Sequence, residues 1–180
     1  MADPDFEAAT RKAAEAGDAA AMSTLGGLVF SKGDRDEAEH WWRRAGELGN
    51  ATAMSNLAAL LSERDPAEAE AWLRRAAAGR EPIALHNLGF LVSRRDADEA
   101  MKWYLMAAQR GYAPSMYNYA MHILDANGDE ALRWLTRAAN TGDAASMRKL
   151  ASLLRERDPQ RAAAWAQRAE AAEAAQQGHA

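Results

Sequence analysis

Three asparagines occupy the same position in three consecutive copies of a repeated helical segment. Asn56, Asn87 and Asn118 are each 31 residues apart, and each precedes a central Leu or Tyr. A side-chain amide carries a donor and an acceptor, so one asparagine can pair with both polar groups of an extended peptide backbone. The spacing therefore predicts a ladder of amides that binds a peptide main chain. The alternative is that repeat duplication copied a surface or inter-helix amide with no role in binding.

The side chains beside these asparagines predict a groove with an apolar, aromatic middle and a basic C-terminal end. Six residues line it in this prediction: His86, Phe90, Tyr117, Met121, Arg148 and Lys149. Such a surface would suit a short segment with an apolar anchor and an acidic residue or terminal carboxylate. The alternative is that Phe90 and Met121 help to bury the interface between helices.

Catalytic and metal chemistry are not predicted from the residues present. The four histidines lie in different repeats, and no two are three or four residues apart, so a metal site on one helix is not expected. Cysteine is absent, which excludes disulfides and thiolate chemistry. Gly26-Gly27 lies within a helical pattern and is a weak match to a phosphate-binding loop. We therefore expect no catalytic residues, no metal and no cofactor, and a protein that is not an enzyme.

Composition and charge narrow the class of protein. The chain has 180 residues, is 48% hydrophobic and carries a net charge of −4. Abundant alanine favours helices, and the negative charge argues against a nucleic-acid partner. No apolar stretch approaches the roughly 18 residues of a membrane span, and no signal peptide is evident. We expect a cytoplasmic protein without membrane insertion, and the high Ala, Arg and Asp content indicates a GC-rich bacterial genome.

A repeat of 31 residues organises the helices that must position these side chains. Its clearest column is Trp41, Trp72, Trp103, Trp134 and Trp165. A fixed period of about 20–50 residues is typical of repeat architectures. One large aromatic per repeat, flanked by alanines, predicts packing between adjacent repeats, and a stacking platform for a ligand is the alternative. Trp42 lies outside the column.

Each repeat is predicted to form two helices, A and B. Helix A follows a glycine, which suits the left-handed residue that ends the preceding helix. These glycines are Gly17, Gly49, Gly79, Gly111 and Gly142. Helix B follows an N-cap residue, and a glutamate three positions later in four copies makes a pattern like a capping box. The N-caps are Asp34, Asp65, Asp96, Asn127 and Asp158.

The combined pattern resembles a known repeat family. A-M-x-x-L-G in helix A, followed by D-x-x-E-A-x-x-W-Y/L-x-x-A-A-x-x-G in helix B, is similar to the Sel1-like repeat (SLR) family, a branch of the tetratricopeptide (TPR) superfamily. The match is clearest at residues 84–89 with 99–111, and it covers about residues 17–170. The resemblance implies an all-α, right-handed α-solenoid that scaffolds or recognises other proteins, and it implies no reaction.

We divide the chain into three parts. Residues 1–16 are a lead (1–4) and a capping helix, residues 17–170 are five repeats, and residues 171–180 are a C-terminal cap and tail. The predicted repeats span 17–48, 49–78, 79–110, 111–141 and 142–170. The predicted function is a monomeric, non-catalytic scaffold or adaptor whose concave face, lined mainly by the A helices, holds a peptide segment of another protein. The alternative is a structural or regulatory subunit that self-associates or docks through its convex face.

Overall fold

The computed structural model describes residues 4–177, except for the side chains of Pro4 and Gln176, and every regular element in that range is an α-helix. The helices are α1 (Pro4–Glu15), α2 (Ala19–Ser31), α3 (Arg35–Glu47), α4 (Ala51–Leu61), α5 (Pro66–Ala78), α6 (Pro82–Val92), α7 (Ala97–Gln109), α8 (Ala113–Ile123), α9 (Gly128–Asn140), α10 (Ala144–Leu154) and α11 (Pro159–Gln177). Helix α1 begins at Pro4, inside the predicted lead. The remaining lead, residues 1–3, and the tail at residues 178–180 lie outside the described residues.

The chain divides into two compact units, residues 1–91 and 92–180. In unit 1, each of α1 to α4 packs on the next helix, and α6 lies at the C-terminal end of the unit. In unit 2, each of α7 to α10 packs on the next helix. The A helices are α2, α4, α6, α8 and α10, and the B helices are α3, α5, α7, α9 and α11. The prediction of an all-α fold built from consecutive helix pairs is confirmed.

The predicted N-caps of the B helices are confirmed. Asp34, Asp65, Asp96 and Asn127 each accept a hydrogen bond from the backbone N–H of the glutamate three residues later, at 2.8–3.2 Å. Asp158 accepts from the N–H of Arg161 at 3.0 Å. Each bond satisfies a donor that the first turn of a helix leaves without an intrahelical partner.

The turns that precede the A helices differ from the prediction at one place. Gly17, Gly49, Gly111 and Gly142 have positive φ angles of 90–100°, as predicted. Gly79 has φ −72°, and the left-handed residue of that turn is Arg80, with φ 58°. The prediction for Gly79 was wrong because this turn contains one extra residue, which moves the left-handed position one step along the chain.

The tryptophan column lies between helices, as predicted, but its members are not equally buried. Trp41, Trp72 and Trp165 are buried, whereas Trp103 and Trp134 are partly exposed. In unit 1, the ring of Trp72 lies against Gly46 of the preceding repeat, where an added Cβ would be 3.0 Å from the ring. The guanidinium of Arg75 also stacks over Trp72, at 4.4 Å from the ring centroid. The contact with Gly46 places the ring of Trp72 in the gap between repeats.

Ion pairs join successive B helices within unit 1. Arg11 of α1 donates to Glu37 of α3 at 2.6 Å, and Arg43 of α3 pairs with Glu68 of α5. Glu37 and Glu68 each accept the indole N–H of the tryptophan four residues later, at 3.1 Å. The arginine hydrogen bond, more than any other contact, lowers the pKa of each of these carboxyl groups. The glutamates that the capping pattern singled out therefore also link one repeat to the next.

Acidification is expected to destabilise unit 1. Glu37, Glu39 and Glu68 each have a folded-state pKa below the ordinary value of 4.5, because arginine hydrogen bonds favour the carboxylate. A lowered folded pKa contributes stability that is complete above the unfolded pKa and is lost as pH falls through the folded pKa. Thermal unfolding followed by circular dichroism should have a midpoint that changes little from pH 7 to 5 and falls below about pH 4.5.

The control for this pH dependence is the variant Glu37→Gln/Glu39→Gln/Glu68→Gln. Partly exposed ion pairs contribute about 0.2–1 kcal/mol each, so the variant should be modestly less stable than wild type at pH 7. Its midpoint should approach that of wild type at pH 3, where the carboxylates are protonated. Parallel loss of stability in the two proteins would show that other groups cause the acid sensitivity.

Candidate functional site

Two of the three predicted asparagines line adjacent grooves on the A helices of unit 1. Asn56 of α4 lines a cavity of about 510 Å³, which we call the first groove. Asn87 of α6 lines a cavity of about 210 Å³, which we call the second groove. The first groove is lined by Gly27, Phe30, Arg35, Trp42, Asn56, Ala59, Leu60, Ser62 and Glu63. The second groove is lined by Ser55, Ala58, Ala59, Ser62, Leu73, Asn87, Phe90 and Leu91. Because Ala59 of α4 and Ser62, the residue after α4, belong to both, the grooves are neighbours.

The first groove has an aromatic wall. Trp42 is buried on α3, and its indole N–H donates to the carbonyl of Ser23 at 3.1 Å. The ring of Phe30 contacts that of Trp42, with centroids 5.4 Å apart, and Phe30 remains 41% exposed. The guanidinium of Arg35 lies 6.0 Å from the Phe30 centroid. The groove therefore offers an accessible apolar surface with the charges of Arg35 and Glu63 beside it.

The second groove presents one prominent aromatic over a floor of small residues. Phe90 is 68% exposed, the most exposed of the large hydrophobic side chains in the described residues. Ala58 and Ala59 of α4 leave space beside it. Phe90 was predicted to line the groove, with burial in a helix interface as the alternative, and its exposure favours the groove.

His86 precedes Asn87 on α6 and is partly buried. Burial lowers the pKa of its imidazole below the ordinary value of 6.5. The side chain is therefore neutral at pH 7, and it would contribute hydrogen bonds and a ring surface to a ligand, not a positive charge.

In unit 2, the predicted residues of α8 are engaged with neighbouring side chains. The Asn118 amide hydrogen-bonds with the hydroxyl of Tyr104, which also bonds with Ser93. Burial raises the pKa of Tyr104, so the hydroxyl stays protonated at neutral pH. Tyr117 is half-buried and packs against the core of unit 2, and Met121 is also half-buried. A backbone ligand of Asn118 would therefore compete with the hydroxyl of Tyr104.

The predicted basic end of the groove lies on α10. Arg148 is exposed, and its guanidinium forms an ion pair with Glu173 of α11. Lys149 is half-buried. A partner carboxylate at Arg148 would therefore compete with Glu173.

Residues 4–177 contain no group of three or more His, Asp or Glu side chains placed to hold a metal ion. Within the same range, no helix is long and apolar enough to cross a membrane.

Comparison with known proteins identifies one family over most of the chain. The family model described as Sel1 repeat matches residues 19–50, 82–112, 113–143 and 144–173. The chain belongs to the Sel1 repeat family. A second model, described as Tetratricopeptide repeat, matches residues 50–81 of this Sel1 repeat chain. The resemblance predicted from the sequence is confirmed. No curated protein matches the chain significantly.

Solved structures support the same fold for this Sel1 repeat chain. A Sel1 repeat protein from Oxalobacter formigenes is 27% identical with a TM-score of 0.85, over 94% of this chain and 80% of that chain. The protective antigen c5321 of uropathogenic Escherichia coli, which displays an SLR fold, is 23% identical with a TM-score of 0.79. That match covers 88% of this chain but only 39% of c5321. YrrB, described as a TPR protein with an unusual peptide-binding site, is 17% identical with a TM-score of 0.57, over 91% of this chain and 92% of that chain.

Of the residues that line the first groove in this Sel1 repeat chain, only Asn56 was predicted as a site residue. The aromatic and charged residues that were missed are Phe30, Arg35, Trp42 and Glu63. Their signal in the sequence was a departure from the repeat. Trp42 is the largest residue in a column that otherwise contains Leu73, Tyr104, Leu135 and Ala166. Its size is accommodated by Gly26, where an added Cβ would lie 2.5 Å from the indole ring. The large Trp42 in this column, together with the Gly26-Gly27 pair one helix earlier, could have indicated that the surface of this repeat differs.

Proposed function

We propose that this Sel1 repeat chain is a non-catalytic protein-interaction module that binds an extended segment of a partner protein along its A helices. Sel1 and TPR repeats generally mediate protein–protein interaction, and their binding surfaces are formed by stacked helix pairs. In this proposal, the partner segment lies on the A-helix surface that carries the first and second grooves. Of the similar structures, YrrB is described as having a peptide-binding site, which is consistent with this use of the fold.

One observation carries the proposal: the two neighbouring grooves each combine one asparagine with one exposed aromatic. Asn56 and Phe30 line the first groove, and Asn87 and Phe90 line the second. The amides would pair with the peptide backbone, and the aromatic surfaces would hold two apolar side chains of the same segment. Since Asn118 is bonded to Tyr104, the affinity is expected to depend mainly on unit 1.

The predicted basic end of the groove, with its neighbours on α8, belongs to unit 2. In unit 2, the four residues that would contact a partner segment are Tyr117, Met121, Arg148 and Lys149. Arg148 would exchange its Glu173 partner for an acidic residue of the ligand, which is close to neutral in energy. We therefore expect these residues to influence which segment binds more than how tightly it binds.

Replacement of Asn56 and Asn87 tests this function. Partner proteins are captured from a bacterial lysate on immobilised wild type, the bound segment is mapped to a peptide, and its Kd is measured by fluorescence polarisation. Each lost amide removes hydrogen bonds that contribute about 0.5–1.5 kcal/mol, so Asn56→Ala/Asn87→Ala should weaken binding by roughly 10–100-fold. Asn118→Ala should weaken it less.

A matched variant controls for the loss of two side-chain amides. Gln109 on α7 and Gln167 on α11 are exposed residues of B helices, so Gln109→Ala/Gln167→Ala should bind the peptide like wild type. If the asparagine and glutamine variants bind equally well, the ladder has no role in recognition. The alternative of self-association through the B helices predicts a molar mass that rises with concentration, which light scattering measures on the same samples.

A further inference from the structure

The junction between α9 and α11 departs from the charge pattern of the other repeats. The position three residues after each B-helix N-cap is glutamate in four repeats and Arg161 in α11. Helices α3, α5, α7 and α9 each have an acidic residue in the first turn, whereas α11 has none. A positive side chain in the first turn is unfavourable next to the positive end of the helix dipole. Arg161 therefore carries an electrostatic cost at a position where the other four B helices have a glutamate.

The same junction also lacks the ion pair that the equivalent residues form between α3 and α5 in unit 1. There, the carboxylate of Glu68 pairs with Arg43 of the preceding B helix. At the corresponding positions of unit 2, Thr136 replaces the arginine and Arg161 replaces the glutamate. The ion pair between successive B helices is thus absent, and its acceptor position is occupied by a cation.

Three arginines surround a pocket of about 490 Å³ at this junction. Its lining, which we call the arginine pocket, is Leu132, Arg133, Thr136, Arg137, Asn140, Leu150, Leu154 and Arg161. Arg133 and Arg137 are four residues apart on α9, a spacing at which like charges repel. Among the described residues, none of those that line this pocket is acidic.

The neighbouring carboxylates compensate these charges only in part. Asp158 lies 3.8 Å from the Nε of Arg161 while it caps α11. Glu130 lines an adjoining cavity with Arg133 and Arg137, and its carboxylate accepts the indole N–H of Trp134 at 3.4 Å. In a chain with net charge −4, the arginine pocket is therefore a local concentration of positive charge.

We propose that the arginine pocket binds a carboxylate side chain of a partner protein, in the place where the earlier repeats supply their own glutamate. Guanidinium groups present forked donors that match a carboxylate. The leucines of the lining provide a surface for an aliphatic residue beside it, which favours an acidic and aliphatic peptide over a free anion. The acidic charge of the whole chain disfavours a nucleic acid. This site lies in unit 2 and is independent of the two grooves of unit 1.

The test uses the whole chain and a defined probe, the peptide Ac-Leu-Glu-Glu-Leu-NH2, with Ac-Leu-Gln-Gln-Leu-NH2 as the uncharged comparison. Binding is followed by the NMR signals of the arginine side-chain N–H groups. The glutamate peptide should shift the signals of Arg133, Arg137 and Arg161 saturably, and the glutamine peptide should not. Arg161→Glu, which restores the repeat pattern, should weaken binding by at least about tenfold. The same variant should melt about 1–3 °C higher than wild type, because the first turn of α11 regains a favourable charge.

Lys102→Glu is the charge-matched control. Lys102 is exposed on α7, and Lys102→Glu changes the net charge by the same amount as Arg161→Glu. This variant should bind the glutamate peptide within about twofold of wild type. Equal binding of the two peptides, or equal loss in Lys102→Glu and Arg161→Glu, would overturn the assignment. Inorganic phosphate is added as a competitor. If it displaces the glutamate peptide at a concentration below the Kd of the peptide, the pocket is a phosphate site, which would also overturn the proposal.

Discussion

Trp72→Ala should lower the free energy of unfolding by about 3–5 kcal/mol, the cost of truncating a large aromatic in a core. Trp72 is 7% exposed, and its ring fills the space beside Gly46 of the preceding repeat. Its removal also takes the hydrogen-bond donor from Glu68 and the stacking surface from Arg75. In a repeat protein, stability depends on interfaces between neighbours, so the loss at one interface weakens the whole array. Thermal melting should shift down by roughly 6–20 °C.

The matched variant is Trp72→Phe, which retains a ring in the gap and should lose much less stability. The grooves are lined by other residues, so Trp72→Ala protein that remains folded at low temperature should still bind the partner peptide. If Trp72→Ala melts like wild type but no longer binds the peptide, the tryptophan column is a ligand surface and does not serve to pack the repeats together.

Gly26→Ala should be less stable than Gly27→Ala by about 1–3 kcal/mol, although the two glycines are adjacent on α2. Both changes gain about 1 kcal/mol of helix propensity, so their difference isolates the packing effect. An added Cβ at Gly26 would lie 2.5 Å from Cδ1 and Nε1 of Trp42, whereas a Cβ at Gly27 meets no atom within 4 Å. Trp42 has little freedom to move, because its N–H is bonded to Ser23 and its ring contacts Phe30. Urea unfolding of the two variants measures the difference.

The same pair separates stability from binding. Gly27 lines the first groove, so Gly27→Ala should be as stable as wild type or more so, while it narrows the groove and weakens the partner peptide. Gly26→Ala should displace the ring of Trp42 and thereby change the shape of the first groove, which that ring lines. Equal stability of the two variants would mean that Trp42 relaxes without cost. Unchanged peptide affinity in Gly27→Ala would remove the first groove from the binding surface.

The residues that distinguish the two proposed binding sites are departures from the 31-residue repeat. Trp42 with Gly26 alters the surface of unit 1, and Arg161 alters the charge of unit 2. The residues that obey the period, such as Trp72 and Glu68, mainly hold neighbouring helices together.

Much of the fold could be predicted from the sequence, because its determinants are local or periodic. The N-caps at Asp34 and Asp65 depend on a side chain and an N–H three residues away, and the spacing alone specifies that contact. Positive φ at Gly49 follows from its place between two helices. The exception at Arg80 arose where an inserted residue shifted the turn, a change that the 31-residue period does not encode.

The sequence by itself determined the helix pairs, their ends and the columns that pack between repeats, since these depend on residues close in the chain or separated by one period. Only the tertiary structure decided the surroundings of the three asparagines, which are all partly buried. Asn56 and Asn87 line grooves because α4 presents small side chains beside them, whereas Asn118 is bonded to Tyr104. Identical positions differ in this way because the space around each one is filled by side chains of neighbouring helices, and those side chains vary from repeat to repeat.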